Sequence, residues 1–371
     1  MNTLRLVKWA SLAAFAVLAI SLPYIIGSFY VNMATQMLFF GLFALSINLI
    51  AGYGGMVTLG QAGLLGIAGY GLGIFYTTYA FPLGISALLA IISTIIVSAF
   101  FGLLLVRASG VYFLMITLAQ GMVVWGVAQR LTTLTGGDNG LRGIDRPPFA
   151  VEYWTYYYFT LAVVAVCVFL IARIVRSPFG LSLKGVREAE TRMAPLGYDV
   201  KRIKLIAFTI SGTFAGVAGL LLAMYNNFFS PPSVYVKASA EGLLMSILGG
   251  VGTITGAFVG SGVFVFVTNY VSGYMERWPT LLGLIFVLTI LFTPDGVVGA
   301  WQRLVWAPLL RRYGAADEAE LIEVAVGGGG LLSDRSRKGS RSATDSDSTR
   351  DSATPSEKPP EQVEETHAGP K

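Results

Sequence analysis

RIVRSPFGLSLKGVREAETRMAPLGYDVKRIK, residues 173–204, is the one long polar interruption in a chain that is otherwise largely apolar. It holds Arg173, Arg176, Lys184, Arg187, Arg192, Lys201, Arg202 and Lys204 against Glu188, Glu190 and Asp199. Eight positive charges against three negative ones mark a cytoplasmic loop, because Lys and Arg collect on the side from which segments are inserted. Leu181–Met193 reads as a short helix following a break at Pro178–Gly180, and Pro195 and Gly197 stop it. The expectation is a helix lying at the membrane surface between two spanning helices. On charge alone, an ordinary basic loop fits equally well.

Composition sets the class. Of 371 residues, 54% are hydrophobic and 13% charged; a soluble domain carries about twice that charged fraction. The chain therefore reads as an all-α polytopic membrane protein. Its net charge of +5 suits loops facing anionic lipid, not nucleic acid. Cys167 is the only cysteine and lies in an apolar run, so no intrachain disulfide forms and a small core residue is expected. His367, the only histidine, lies in the tail, which excludes a histidine-based metal site or proton relay within the membrane. No cofactor is expected.

Outward from the basic loop, apolar runs approach the roughly 20 residues that a helix needs to cross hydrocarbon. They are Trp9–Gly27, Phe29–Ala51, Ala62–Tyr79, Leu83–Val106, Val111–Ala128 and Tyr156–Ile171 before the loop, and Leu205–Tyr225 after it. Arg5 and Lys8 precede the first run, which is long and has no small-x-small cleavage pattern after it, so it reads as a spanning helix with a cytoplasmic N-terminus. Ala238–Leu248, Ile254–Val271 and Thr280–Phe292 follow, and the first of these is too short for an untilted crossing. Arg303, Arg311 and Arg312 place the C-terminus in the cytoplasm. About ten spans satisfy that sidedness, with Ala238–Leu248 and the loop before it forming a short or broken helix. Eight spans with re-entrant segments satisfy it too. Residues 1–312 are read as the transmembrane domain. From 313 to 371 the composition turns to Ser, Asp, Gly, Pro and charge, and a disordered cytoplasmic tail is expected.

Ionisable groups are nearly absent from the spans. Glu241, near the start of the eighth segment, is the acidic residue placed to lie at depth. Ion-coupled carriers place charges inside the bundle to bind the driving ion, so this scarcity weighs against a secondary transporter. Paired carboxylates and nucleophile–base pairs are also missing, so the chain is not expected to be an enzyme. It has no GxxxxGK[ST] phosphate loop of its own. The pore is then either passive or driven by a separate chain gripping the surface helix.

Glycines recur at helix-contact spacing: Gly69 and Gly73; Gly212 and Gly216; Gly252, Gly256 and Gly260. Small residues so spaced let backbones approach closely, and tight helix packing is the expected role. In residues 52–73 glycines interrupt a span beside Thr58, Gln61 and Tyr70. Non-helical backbone at membrane depth persists only against protein or a watery cavity, which makes these three, with Glu241, the candidates for a translocation path. The stretch 135–143, TGGDNGLRG, is a turn-rich outer loop.

Five stretches together resemble the permease subunits of ABC importers for branched-chain amino acids, the LivM-type: GYGGMVTLGQAGLLGIAGYG (52–71), TGGDNGLRGI (135–144), SPFGLSLKGVREAETRMAPLGYDVKRIKLIAF (177–208), SILGGVGTITGAFVG (246–260) and LLGLIFVLTILFTPDGVVG (281–299). The resemblance covers roughly residues 25–300. It implies an all-helical importer core in the plasma membrane that works with a second, homologous permease subunit, two cytoplasmic ATPase subunits and an extracytoplasmic substrate-binding protein. Residues 181–197 are similar to the family's coupling helix, with Glu190, Ala194 and Gly197 at its motif positions; Thr191 and Pro195 depart from its alanine-rich pattern. Lys184, Arg187 and Arg192 would complete the ATPase-facing surface. Relatives of this type carry leucine, isoleucine and valine, but also urea, short amides and aromatic acids. A stand-alone channel or carrier remains the alternative outside the importer class, and a non-transport scaffold a more distant one.

Overall fold

Two helices hold the bundle together. Helix α1, Ser28–Asn48, runs on through a π-turn at Leu49–Tyr53, and α8, Val200–Asn226, crosses beside it. In their most apolar stretches 72% and 61% of residues are buried, against 22–28% for α3 (Leu83–Leu105), α4 (Gly110–Arg130) and α6 (Tyr153–Val175). The first pair is therefore central, and the other three present apolar flanks outward, as helices in lipid do. The computed structural model describes residues 27–292 apart from Glu276, residues 296–301, and Ser21 and Pro23. Almost all of the expected first span lies outside these residues. So do Arg303, Arg311, Arg312, the expected boundary at 312/313 and the tail.

Among the described residues, six helices are long and apolar enough to cross a membrane: the five above and Ile254–Gly273, whose regular part is α10, Ile254–Asn269. Three further expected spans are shorter. Helix α2 is Gln61–Gly73, prolonged by a π-turn at Ile74–Thr78; α9 is Val236–Gly249; α11 is Trp278–Phe292. Both α2 and α9 are entered through non-helical chain, residues 54–60 for α2 and a 3-10 turn at Pro231–Val234 for α9. The glycines and prolines there remove the side chains or N–H groups that a continuous helix needs. Two short helices, α5 (Thr132–Thr135) and α12 (Gly296–Trp301), complete the bundle, with a surface helix α7 (Pro178–Met193) between α6 and α8. The sixth span reaches Tyr153 instead of starting at Tyr156, because Tyr153 and Trp154 suit the membrane–water boundary.

The glycines act mainly as contact points. A methyl at Gly212 would sit 2.7 Å from Leu64 Cδ1 and 2.8 Å from Ser98 Cβ, and one at Gly216 2.9 Å from Thr94 Cγ2. These positions let α8 meet α2 and α3. Gly69 presses on the Phe229 ring, and a methyl at Gly73 would lie 2.8 Å from Leu141 Cδ1. Gly256 and Gly260 bring α10 against the backbone of α9 at Gly249 and Met245. Gly252 does not belong to that helical stripe: it stands in the turn before α10 at φ +86°. One feature is not helical at all. Strand β1, Leu141–Arg142, pairs antiparallel with β2, Phe228–Phe229, so the turn-rich loop is stitched to the chain leaving α8.

A candidate coupling and translocation site

The surface helix begins one turn earlier than its sequence suggests. The Ser177 hydroxyl accepts the Gly180 N–H at 3.4 Å, and Pro178 takes the first helical position, where its missing N–H goes unneeded. Pro178–Gly180 is thus the first turn of α7 and not a break before it. Gly180, Leu183 and Val186 are buried, while Leu181 is 73% exposed. At Ala189 the backbone leaves helical geometry (φ −156°, ψ 74°), which kinks the helix between Arg187 and Glu190. The stop is as expected: Gly197 adopts φ +86°, and the Tyr198 N–H returns to the Met193 carbonyl at 3.2 Å.

On either side of the kink a polar side chain reaches a different part of the bundle. Arg187 Nη1 donates to the Gly52 carbonyl in the π-turn that ends α1, at 2.5 Å. Gly55, at φ +68°, makes room for it, since a methyl there would lie 2.7 Å from Arg187 Cγ. Past the kink, Glu190 pairs with Lys204 of α8 at 2.5 Å; the Lys204 side chain is 4% exposed and that of Glu190 44%. A cavity of about 120 Å³ opens between these groups, lined by Gly55, Ser109, Arg187, Glu190 and Lys204 among others. Lys184 Nζ lies 5.7 Å from the Tyr53 ring centre. Arg192, Ala194 and Gly197 are exposed, and Leu196 beside them is 71% exposed.

The same end of α1 carries a clamp that the sequence reading missed. Asn48 Nδ2 donates to the Thr253 carbonyl and its Oδ1 accepts the Gly252 N–H, both at 2.7 Å. A single amide thereby closes α1 onto the turn joining α9 to α10. Its signal was available: Asn48 is a lone amide inside the apolar run FFGLFALSINLI, residues 39–50.

Of the expected path residues, Thr58 and Gln61 are fully buried within the chain and Tyr70 is 5% exposed. Gln61 Nε2 donates to Ser211 Oγ at 3.0 Å, and that hydroxyl donates to the Ser46 carbonyl at 2.6 Å. Ser239 Oγ accepts the Ala62 N–H at 2.9 Å, fixing the start of α2 to α9. Glu241 is half-buried, 3.9 Å from Lys237 Nζ one helical turn away. Its ion pair runs along its own helix.

At the opposite end, Arg146 spans the C-terminus of α8. Its Nη2 donates to Tyr225 O at 2.8 Å, Nε to Met224 O at 3.4 Å and Nη1 to Val151 O at 3.4 Å. The guanidinium also lies 4.9 Å from the Tyr156 ring centre and 5.7 Å from that of Tyr225. A cation here meets the negative end of the helix and its unpaired carbonyls together. Asp145 accepts from Tyr76 at 3.0 Å, and Asp138 accepts from Gln129. Among the described residues no group of three or more His, Cys, Asp or Glu gathers as a metal site.

A bundle of long apolar helices, short helices entered through non-helical chain, and a charged helix at one end together define a polytopic integral membrane protein. The sequence comparison carries this further. Residues 29–293 match the family described as "Branched-chain amino acid transport system / permease component", and the chain belongs to that family. The high-affinity branched-chain amino acid transport system permease protein LivM of Escherichia coli K12 is 29% identical over 316 residues, covering 77% of this chain and 74% of that protein. A probable LivM of Methanocaldococcus jannaschii is 24% identical, covering 71% and 92%. A probable LivH of the same organism is 25% identical over 218 residues, covering 54% and 69%. No solved structure matches the chain.

Proposed function

We propose that this chain is the transmembrane subunit of an ATP-driven importer of leucine, isoleucine and valine, and that α7 is the element its ATPase partner pushes. The supporting observation is the build of α7. Its inner side is anchored twice, through Arg187 to α1 and through Glu190 to α8, while Leu181 and Leu196 face outward bare among Lys184, Arg192, Ala194 and Gly197. Apolar side chains ringed by charge suit a protein partner, and a push there reaches two central helices at once. In this reading two cytoplasmic ATPase subunits dock at such helices, a binding protein delivers the solute on the other side, and a second, LivH-like permease completes the pore. The chain itself hydrolyses nothing. It sits in the plasma membrane with both termini, and the tail 313–371, in the cytoplasm.

Purification from native membrane, then reconstitution into liposomes with binding protein loaded with leucine, with urea or with nothing, tests this. An ATPase subunit that co-purifies, and hydrolysis stimulated by the leucine-loaded protein, are expected. A response to urea instead would move the substrate, not the mechanism. Flux from the chain alone without ATP would overturn the importer reading. The double charge reversal Arg187→Glu with Arg192→Glu should abolish uptake while the protein still inserts, and unimpaired uptake counts against the role of α7.

A further inference from the structure

Gln120 is the one amide in the run VYFLMITLAQGMVVW of α4, residues 111–125. It is 3% exposed, yet neither its Oε1 nor its Nε2 has a hydrogen-bond partner among the described residues. It lies over the break that precedes α2, where a methyl on Gly60 would stand 3.3 Å from Gln120 Oε1. Gln61, the next residue, is fully buried with its own Oε1 unpartnered. The orientation of that amide follows from its neighbours: Ser211 spends its proton on the Ser46 carbonyl, so it can only accept, and Gln61 must present Nε2 to it. Gln61 therefore offers a bare acceptor, and Gln120 offers an acceptor and a donor.

Three backbone N–H groups around them already have side-chain acceptors. Leu59 N–H goes to Thr117 Oγ1 at 3.2 Å, Gly60 N–H to Thr58 Oγ1 at 3.3 Å, and Ala62 N–H to Ser239. Gln61 Nε2 ties the break to Ser211, but Gln61 Oε1 and the whole Gln120 amide take no part in holding it. An unpaired buried amide destabilises a fold, most of all at membrane depth, and a leucine at 120 would fill the site without that cost. Such groups in a native protein need an explanation, either a resident water or a partner that comes and goes.

We propose that the unpaired amide groups of Gln61, the residue that ends the Leu59–Gly60 break, and of Gln120, which lies over Gly60, hydrogen-bond the charged head of an amino acid as it crosses, acceptors to the ammonium and the Gln120 donor to the carboxylate. Neutral amides suit a net-neutral zwitterion, because they lower its desolvation cost without trapping it as a fixed charge would. The inference rests on the transport reading above and adds to it a residue on a different helix from the sequence candidates.

The test combines stability and transport in the reconstituted complex. Gln120→Leu should raise the melting temperature in detergent, by removing the unpaired amide, and lower ATP-dependent leucine uptake at least tenfold. Gln120→Asn, which keeps an amide, should recover part of that uptake. Thr268→Val removes another unpartnered buried hydroxyl, on α10, and should stabilise without lowering uptake. If Gln120→Leu does not insert, Gln120→Met is read in its place. Uptake equal to wild type would overturn the proposal, since the amides would then hold only resident water; so would a fall in uptake with an equal fall in melting temperature, which is a packing defect. Absence of ATP-driven uptake by the wild-type complex would refute the importer reading instead, so the two failures are told apart.

Discussion

The two ends of the bundle are built differently. At the end that carries α7, long side chains cross gaps left by glycines: Arg187 reaches Gly52 past Gly55, Asn48 reaches the Gly250–Thr253 turn, and Glu190 reaches Lys204. At the other end, backbone meets backbone in the β1·β2 pair, and one guanidinium satisfies three carbonyls between two tyrosine rings. Arg187 and Glu190 each make one bond through a rotatable side chain and can re-pair, whereas the far end's backbone pair and the three-carbonyl Arg146 cap must be broken together. The difference is one of construction: the α7 end is joined through side chains of separate helices, and the far end through paired backbone and a shared cap, which is the arrangement the proposed push on α7 requires.

Changes at the α7 end should lower uptake per ATP hydrolysed, and changes at the far end should lower stability alone. The largest effect is expected for Glu190→Ala, which leaves the nearly buried Lys204 without its partner at a cost of about 3 kcal/mol. The melting temperature and coupled uptake should both fall. Adding Lys204→Met should restore the first and not the second, and recovery of both would reduce the pair to a structural one. Next comes Arg146→Gln, which strips the α8 terminus of its cap and the rings of their cation, at about 2 kcal/mol. Thermal unfolding should detect it, with uptake per folded complex unchanged; an uncoupled Arg146→Gln would break the contrast. Gly252→Ala forces a side chain into φ +86°, at about 1–2 kcal/mol, and loosens the turn that Asn48 clamps, so coupling should fall by more than stability does. Tyr76→Phe removes one exposed hydrogen bond to Asp145, worth about 0.5 kcal/mol, and should leave both readouts within error.

Much of this was legible in the chain. The charge of 173–204 and the stop at Pro195 and Gly197 pointed to a surface helix, and α7 ends there. Gly256 and Gly260, read as packing positions, do meet α9. The start of α7 was misread because Pro178 signals a break as strongly as it signals a first turn, and only the Ser177 cap separates the two. Arg187 and Glu190 were grouped as outward charges, although their side chains turn inward to Gly52 and Lys204. Lys204 was counted as one more loop cation, and nothing local says that it is buried.

By itself the sequence determined the class and the segmentation: apolar run lengths name the spans, charge names the surface helix, and glycine and proline mark where helices must break. All of these are properties of a residue and its near neighbours. Only the tertiary structure decided which polar group answers which, Asn48 with Thr253, Gln61 with Ser211, Gln120 with no other described residue. Those outcomes depend on how helices far apart in sequence cross and how closely their glycines let them approach, and that distance is set by the packing of the whole bundle.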